Sequence, residues 1–80
     1  MRDEQDRYNA ALGRAIRQLR KEAGLTQQQL ADLAQVSVPE LRLIEHGGVD
    51  ADWGTVRHLA VAMNSNLGDV FRLTEELEGD

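Results

Sequence analysis

Apolar side chains recur every three or four positions along most of the chain, which is the period of amphipathic helices and not of strands. In the first segment the recurring residues are Tyr8, Leu12, Ile16 and Leu19. Gly24 follows this segment and favours the left-handed conformation in which helices commonly stop. The whole pattern predicts five helices, at about residues 4–23, 27–34, 38–46, 53–63 and 67–77.

Polar residues stand at the predicted helix starts. Thr26 and Gln29 have the spacing of a capping box, in which each side chain bonds the backbone amide of the other residue. Ser37 and Glu40 repeat that spacing before the third helix, whose first turn tolerates Pro39. The other predicted N-caps are Asp52 and Asn66.

The connection between the second and third predicted helices is only two residues long, 35–36. Two short helices joined in this way cannot lie antiparallel, so they must cross steeply and the second must protrude. Ala31 and Ala34 are small enough for a close crossing. The apolar residues expected to close the wedge between the two helices are Leu30, Val36, Leu41 and Ile44. A protruding helix of this kind has the shape of an element that enters a DNA groove.

Composition favours one small helical domain. The 80 residues suffice for a single modest core, but not for a second folding unit or a deep enzyme cleft. Apolar residues make up 41% of the chain and aromatic residues only 4%, so the core must be built mainly from aliphatic side chains between helices. We therefore expect residues 1–80 to form a single all-α domain, a compact five-helix bundle with a central helix-turn-helix.

Charge is distributed unevenly along the chain. The net charge is −5, with two basic and three acidic residues in 1–11, six of each in 12–62, and one basic and five acidic in 63–80. There is no cysteine, which excludes disulfides and thiolate metal sites. No stretch approaches the roughly 18 apolar residues of a membrane span, and the N-terminus lacks the apolar core of a signal peptide. We expect a soluble, cytoplasmic protein without a membrane partner.

The central segment resembles the Cro/C1-type helix-turn-helix family, the phage repressor-like DNA-binding domains that include xenobiotic-response-element regulators. The residues that carry the resemblance are Gly24-Leu25-Thr26-Gln27, Leu30-Ala31, Ala34, Val36-Ser37, Leu41, Ile44-Glu45 and Gly47. It extends to the first, fourth and fifth helices through Ile16-Arg17, Leu19-Arg20, Leu59-Ala60, Met63 and residues 67–71.

This resemblance implies a lambda-repressor-like fold and a sequence-specific transcriptional regulator of double-stranded DNA. The family commonly works as a homodimer that uses its fourth and fifth helices as the dimer surface. The third helix, residues 38–46, would then be the recognition helix, and the two copies would enter successive major grooves about 34 Å apart.

The resemblance also implies roles for individual residues. Arg20 and Glu45 occupy the positions of a partly buried ion pair that ties the first helix to the third. Gln27, together with the backbone amides near it and the adjacent Gln28, occupies the position that grips a DNA phosphate. The spacing of charges, apart from the resemblance, also places three basic residues on one edge of the first helix, namely Arg14, Arg17 and Lys21. This edge is either a solvated face, as such charge runs usually are, or a contact to the DNA backbone.

The base-reading positions depart from the family pattern. These positions hold Val38, Pro39 and Leu43, and none of these side chains can hydrogen-bond to a base. They can touch thymine methyl groups, which leaves polar contacts to Ser37, Arg42 and His46.

Two functions are therefore open. In the first, the chain is a DNA-binding regulator that gains specificity from a dimer, from groove shape and from methyl contacts. In the second, Val38, Pro39 and Leu43 form an apolar patch for a protein partner, in a regulatory or toxin-neutralising complex. A variant of the first is a DNA-binding module whose partner supplies positive charge. The resemblance favours DNA binding, and the discriminating observation is whether the rim around these residues is basic or acidic.

The turn residue Gln35 is a second departure, because the family usually has glycine at this point, where a positive φ is needed. A non-glycine residue adopts that conformation at a cost of roughly 1–2 kcal/mol.

Catalytic and metal chemistry are not indicated. No nucleophile, base and orienting group occur together at a meaningful spacing. His46 and His58 lie twelve residues apart, without further ligands at a suitable spacing. We expect no enzyme activity, no cofactor, no metal and no small-molecule substrate. Trp53, at the start of the fourth helix, is interpreted as a core or interface residue and not as a stacking platform.

Overall fold

The computed structural model describes residues 2–79, which form five α-helices joined by short turns and contain no strand. The helices are α1 (Arg2–Glu22), α2 (Gln27–Ala34), α3 (Val38–Glu45), α4 (Trp53–Ala62) and α5 (Leu67–Glu78). The predicted all-α class with a central helix-turn-helix is confirmed.

Several helix ends differ from the predicted bounds. The first helix begins two residues earlier and ends one residue earlier than the pattern predicts, and the last ends one residue later. The third and fourth helices each end one residue earlier, because His46 and Met63 are C-caps and not helical residues.

Side-chain caps begin the four shorter helices. The Thr26 hydroxyl accepts from the Gln29 backbone N–H at 3.0 Å, and the Gln29 side chain accepts from the Thr26 N–H at 2.9 Å, so this capping box forms as predicted. Ser37 accepts from the Glu40 N–H at 3.1 Å, but the Glu40 side chain returns no bond, so the second predicted box is wrong. The Glu40 carboxylate stays exposed to water, where it still suits the positive end of the helix. The other N-caps, as predicted, are Asp52 and Asn66.

The core lies between all five helices and is built from aliphatic side chains. Its buried members are Leu12, Ile16, Leu30, Ala31, Ala34, Leu41, Ile44, Val56, Leu59, Ala60, Met63 and Val70. Both alanines of α2 are almost completely buried, as the close helix crossing requires. Val36 is only partly buried and packs against the edge of this core.

Trp53 does not belong to the core. Its side chain is 56% exposed and meets the Phe71 ring edge-on, with the ring centroids 4.7 Å apart. Of the two interpretations of Trp53, as a core or as an interface residue, the core one is therefore wrong, and the interface one stays a prediction.

The helices α1 and α3 approach each other so closely that glycine is required at the crossing. A Cβ atom at Gly13 would overlap the Ile44 carbonyl oxygen and lie 2.5 Å from the Glu45 carbonyl oxygen. Gly47 lies against the same helix, where a Cβ would be 2.8 Å from the Ala10 Cα, and its φ of 73° also favours glycine. These contacts fix how far α3 stands from α1.

Two non-glycine residues adopt the left-handed conformation. Gln35 ends α2 with φ 60° and ψ 41°, which is the positive φ expected at this turn. Asn64 follows α4 with φ 61°. No helix within residues 2–79 is both long enough and apolar enough to cross a membrane.

Candidate nucleic-acid interface

A buried ion pair anchors α3 to α1. The Arg20 Nε donates to the Glu45 Oε2 at 2.7 Å, and the Arg20 Nη2 donates to the Glu45 Oε1 at 3.2 Å. Only 9% of Arg20 and 3% of Glu45 are exposed. Arg20 also donates through Nη1 to the Leu25 carbonyl at 3.0 Å, so one guanidinium holds the α1–α2 turn and α3 together. The structure thus brings together the two residues that the resemblance pairs.

Gln27 extends this ion pair into a four-residue network. Its Nε2 donates to the Glu45 Oε1 at 3.0 Å, and its Oε1 accepts from the Arg42 Nε at a long 3.5 Å. The side chain proposed to grip phosphate therefore bridges the buried Glu45 to the exposed Arg42. This bridge orients Arg42 on the side of α3 that faces α2.

The neighbouring candidate Gln28 points along its own helix. Its Nε2 donates to the Asp32 Oδ1 at 2.9 Å, and the structure shows no bond from it to the network. The first backbone N–H groups of α2, those of Gln27 and Gln28, have no partner within the helix, as at any helix start. These amides are available to an anion beside Arg42.

The exposed face of α3 carries two apolar residues, one cation and one carboxylate. Pro39, Glu40 and Arg42 are exposed, and Leu43 is 50% exposed. Val38 departs from the expectation of an exposed reading position, because it is half-buried against the core. Val38 lies one turn before the buried Leu41, so the two side chains share the inward face of the helix.

The remaining polar candidates are divided between the two ends of α3. Ser37 is the N-cap, and its hydroxyl accepts from the Glu40 N–H. His46 is the exposed C-cap. Arg17 lies on α1, half-buried in a shallow cleft beside Arg14 and Lys21, and forms no hydrogen bond to α3 in the structure.

A groove runs beside α3 between that helix and the start of α4; we call it the α3–α4 groove. It encloses about 420 Å³ and is lined by Ser37, Pro39, Glu40, Leu43, Ile44, Val49, Asp50, Ala51, Asp52 and Thr55. The lining contains three carboxylates and neither lysine nor arginine. The rim on this side of the recognition face is therefore acidic.

Hydrogen bonds hold two of the carboxylates of this groove in place. The Asp50 Oδ1 accepts from the Asn9 amide and, at 3.3 Å, from the Gln5 amide, so α1 fixes the loop after α3. The Asp52 Oδ1 accepts from the Thr55 N–H at 2.8 Å, and this bond lowers the pKa of the Asp52 carboxyl below its usual range. The Asp52 side chain therefore remains charged at neutral pH.

Three residues on one face of α1 position α3 and the loop after it, and the hydrophobic pattern does not reveal them. Asn9, Gly13 and Arg20 lie four and seven residues apart, which places them on one face of the helix. All three contact α3 or the loop after it. Their helical spacing is the signal that points to a second packed face beside the apolar one.

No group of three or more histidine, aspartate or glutamate side chains within residues 2–79 is arranged to hold a metal ion. His46 ends α3, and His58 lies within α4 beside the Leu33 and Val61 side chains.

The chain matches the model of one protein family, described as a helix-turn-helix domain, over residues 11–73. The match includes both α2 and α3 and most of the other helices.

A curated relative and two solved structures are similar to the chain. The competence pilus inhibition repressor of Acinetobacter baylyi is 36% identical over 69 residues, which are 86% of this chain and 63% of that protein. The chain thus spans less than two thirds of the length of that relative. The clp gene regulator ClgR of Corynebacterium glutamicum superposes with a TM-score of 0.87 at 25% identity, over 90% of this chain and 77% of that one.

The second structure is the restriction-modification controller protein C.AhdI of Aeromonas hydrophila. It superposes with a TM-score of 0.75 at 26% identity, over 78% of this chain and 94% of that one. The family model covers most of the chain, and the buried Arg20–Glu45 pair ties α3 to α1. The chain therefore belongs to the helix-turn-helix domain family and resembles its Cro/C1-type regulators.

Proposed function

We propose that the chain is a sequence-specific, DNA-binding transcriptional regulator whose α3 enters the major groove of double-stranded DNA. The observation that carries this proposal is the exposed face of α3, a helix that the buried Arg20–Glu45 pair ties to α1 and the Gln27 bridge ties to α2. The names of the relatives agree, since they are a repressor, a gene regulator and a controller protein.

In this proposal the two sides of α3 have different tasks. On the side toward α2, Arg42 and the backbone amides of Gln27 and Gln28 contact a phosphate, and Arg17 adds positive charge farther along α1. The Gln27 side chain contributes to that contact indirectly. Its Nε2 stays bonded to Glu45, and its Oε1 accepts from the Arg42 Nε and so orients the Arg42 guanidinium toward the phosphate.

The outward side of α3 reads the base pairs. Pro39 and Leu43 pack against thymine methyl groups, and the half-buried Val38 contributes only its outer edge. Ser37 and His46 supply the polar contacts at the two ends of the helix. With so few hydrogen-bonding groups, DNA shape supplies part of the specificity.

A homodimer completes the proposal by doubling the number of base contacts. The surface proposed for it is formed by α4 and α5, where Val61 is 63% exposed and Trp53 is 56% exposed. Burial of these two apolar side chains between copies of the chain would favour association. Two such subunits would present their α3 helices to half-sites about 34 Å apart.

The test is selection of DNA fragments from a genomic library at low salt, followed by affinity measurements on the selected duplex. Arg42→Ala is expected to weaken binding by roughly tenfold, the loss typical of one good DNA contact. Arg7→Ala is the matched control, because it removes an exposed arginine of α1 that belongs to none of the proposed contact surfaces, and it is expected to leave the affinity unchanged. Equal affinities of the two variants would contradict the assignment of α3.

The acidic rim of the α3–α4 groove favours a second candidate function, that of an adaptor for a protein partner. Here Pro39, Leu43 and the edge of Val38 contact that partner and not bases. Leu43→Glu would then abolish a protein complex while leaving the helical circular-dichroism spectrum intact. If this substitution abolished DNA binding alone, the adaptor function would be excluded.

A further inference from the structure

The α3–α4 groove has a character that DNA recognition does not use. Its lining contains Glu40, Asp50 and Asp52 but neither lysine nor arginine, so a DNA phosphate placed there would be repelled. The hydrogen bonds from Asn9 and Thr55 position two of these carboxylates at the rim of the groove. The charge of the groove is thus complementary to a basic ligand.

The floor of the same groove is apolar and accessible. Leu43 is 50% exposed and Val49 is 37% exposed, and Pro39 and Ala51 continue the surface between them. Burying such side chains is favourable, whereas leaving them in water is not. A ligand that fits must therefore combine apolar side chains for the floor with cations for the rim.

We propose that the α3–α4 groove binds a short segment of a partner protein in which leucine-like side chains are interspersed with lysine or arginine. The segment places one or two apolar side chains between Leu43 and Val49, and its cations pair with Glu40, Asp50 and Asp52. An amphipathic segment laid into an apolar groove is a common mode of peptide recognition.

Occupation of the groove also blocks the recognition face of α3. Pro39 and Leu43 line the groove and form part of the exposed face of the helix, so a bound segment and a DNA major groove compete for them. The partner therefore releases the regulator from DNA. This regulatory step rests on the proposed DNA-binding function, whereas binding of the segment itself does not.

The probe is a fluorescein-labelled peptide of about 14 residues, a length at which a bound helix can form, with leucine every three or four positions and lysine elsewhere. Two matched peptides replace every lysine by glutamate or every leucine by serine. The 80-residue chain is expected to bind only the first peptide, in a fluorescence anisotropy titration. Binding of the serine peptide with equal affinity would show that charge alone is responsible, and it would overturn the proposal.

Variants of the chain locate the binding site. Val49→Ser and Glu40→Lys are each expected to weaken binding of the peptide by about tenfold, as one lost apolar or charged contact can. Leu33→Ser is the matched control, because Leu33 is 61% exposed on α2, outside the groove. Equal affinities of Val49→Ser and Leu33→Ser would overturn the proposal, whatever the result with DNA. Circular dichroism of each variant verifies the fold.

Measurements with DNA and with the unliganded chain distinguish a peptide segment in the groove from two other occupants, DNA and a second copy of the chain. Peptide binding that survives when the chain retains no duplex at low salt supports the groove and removes the proposed DNA-binding function. Peptide that displaces a bound duplex supports the competition. If Val49→Ser weakened DNA binding and not peptide binding, the groove would belong to DNA. If it abolished self-association of the chain in sedimentation, the occupant would be a second copy.

Discussion

The substitution Gly13→Ala tests whether the close contact of α1 and α3 fixes the position of the recognition helix. In the middle of an ordinary helix this change stabilises a protein by up to about 1 kcal/mol, because alanine has the higher helix propensity. Here the new methyl group would meet backbone carbonyls of α3, which cannot rotate out of the way. We therefore predict the opposite sign.

The size of the effect follows from the distances. The Cβ would lie 2.5 Å from the Glu45 carbonyl oxygen. That distance must grow by about 0.8 Å to reach the roughly 3.3 Å of an ordinary carbon–oxygen approach. A separation of α1 from α3 by this amount would stretch the Arg20 Nε–Glu45 Oε2 contact from 2.7 Å to about 3.5 Å, beyond the usual range of a charge-assisted hydrogen bond.

Overpacking of this kind costs typically about 1–3 kcal/mol, and the weakened ion pair adds to it. After subtraction of the propensity gain, we expect a net loss of about 2 kcal/mol, which corresponds to a fall in Tm of roughly 8–16 °C for a domain of this size. Thermal unfolding followed by circular dichroism measures it.

The matched control is Gly54→Ala in α4, where a Cβ would meet only the Asp52 Oδ1, at 3.2 Å. Relief of this contact needs a shift of only a few tenths of an ångström, small enough for the Asp52 Oδ1 to keep its bond to the Thr55 N–H, so we expect a change below about 1 kcal/mol. A higher Tm for Gly13→Ala than for the wild-type chain would refute the reasoning, because it would show that α1 and α3 separate without cost.

Three further predictions concern the ion pair and the caps. Glu45→Ala leaves Arg20 buried without its partner and is expected to lower the free energy of unfolding by about 3–5 kcal/mol. Replacement of both Arg20 and Glu45 by leucine and methionine is expected to cost less, and urea unfolding at neutral pH distinguishes the two variants. Gln35→Gly is expected to stabilise the chain by about 0.5–1 kcal/mol by removing left-handed strain, and Asn64→Gly by less, because asparagine tolerates this conformation; equal gains would contradict the strain argument. Because the pKa of Asp52 is lowered, its carboxylate contributes to the free energy of unfolding above the unfolded value of 3.8, and this contribution is lost as pH falls through the folded pKa. The Asp52→Asn variant should therefore lose less stability on acidification than the wild-type chain. Identical acid unfolding profiles would show that the cap does not titrate.

Much of the fold could be predicted from local sequence. The period of the apolar residues and the caps at Thr26, Ser37, Asp52 and Asn66 locate the helices, because these signals depend on neighbours within one turn. The second capping box at Glu40 failed because a charged side chain at a helix start has water as an alternative partner. The spacing of the residues does not determine whether the Glu40 carboxylate bonds the backbone amide or water.

The site depends on contacts between distant residues, and these were harder to predict. Gln27 bonds Glu45, eighteen residues away, and Asn9 bonds Asp50, forty-one residues away. Neither distance in sequence has a periodic signature, so only the packed structure reveals these bonds. Val38 shows the same limit, since its partial burial follows from how α3 is turned against the core and not from its place at the start of the helix.

The acidic rim could be read only partly from the sequence, because a count of charges over 12–62 balances. Folding separates them. Glu40, Asp50 and Asp52 gather beside α3, whereas Arg14, Arg17 and Lys21 lie together with Glu22 on α1. The α3–α4 groove is therefore more acidic than the balanced count of charges indicates.

The most direct test of α3 as a DNA-reading helix is the dependence of affinity on salt, measured on a duplex selected by the chain. Each phosphate contact adds about −0.9 to the slope of log K against log salt concentration. We predict tight retention at about 50 mM salt, a clear loss by about 200 mM, and a slope that Arg42→Ala makes shallower by about one unit. No retention even at low salt, or an affinity that salt does not change, would contradict the proposed function.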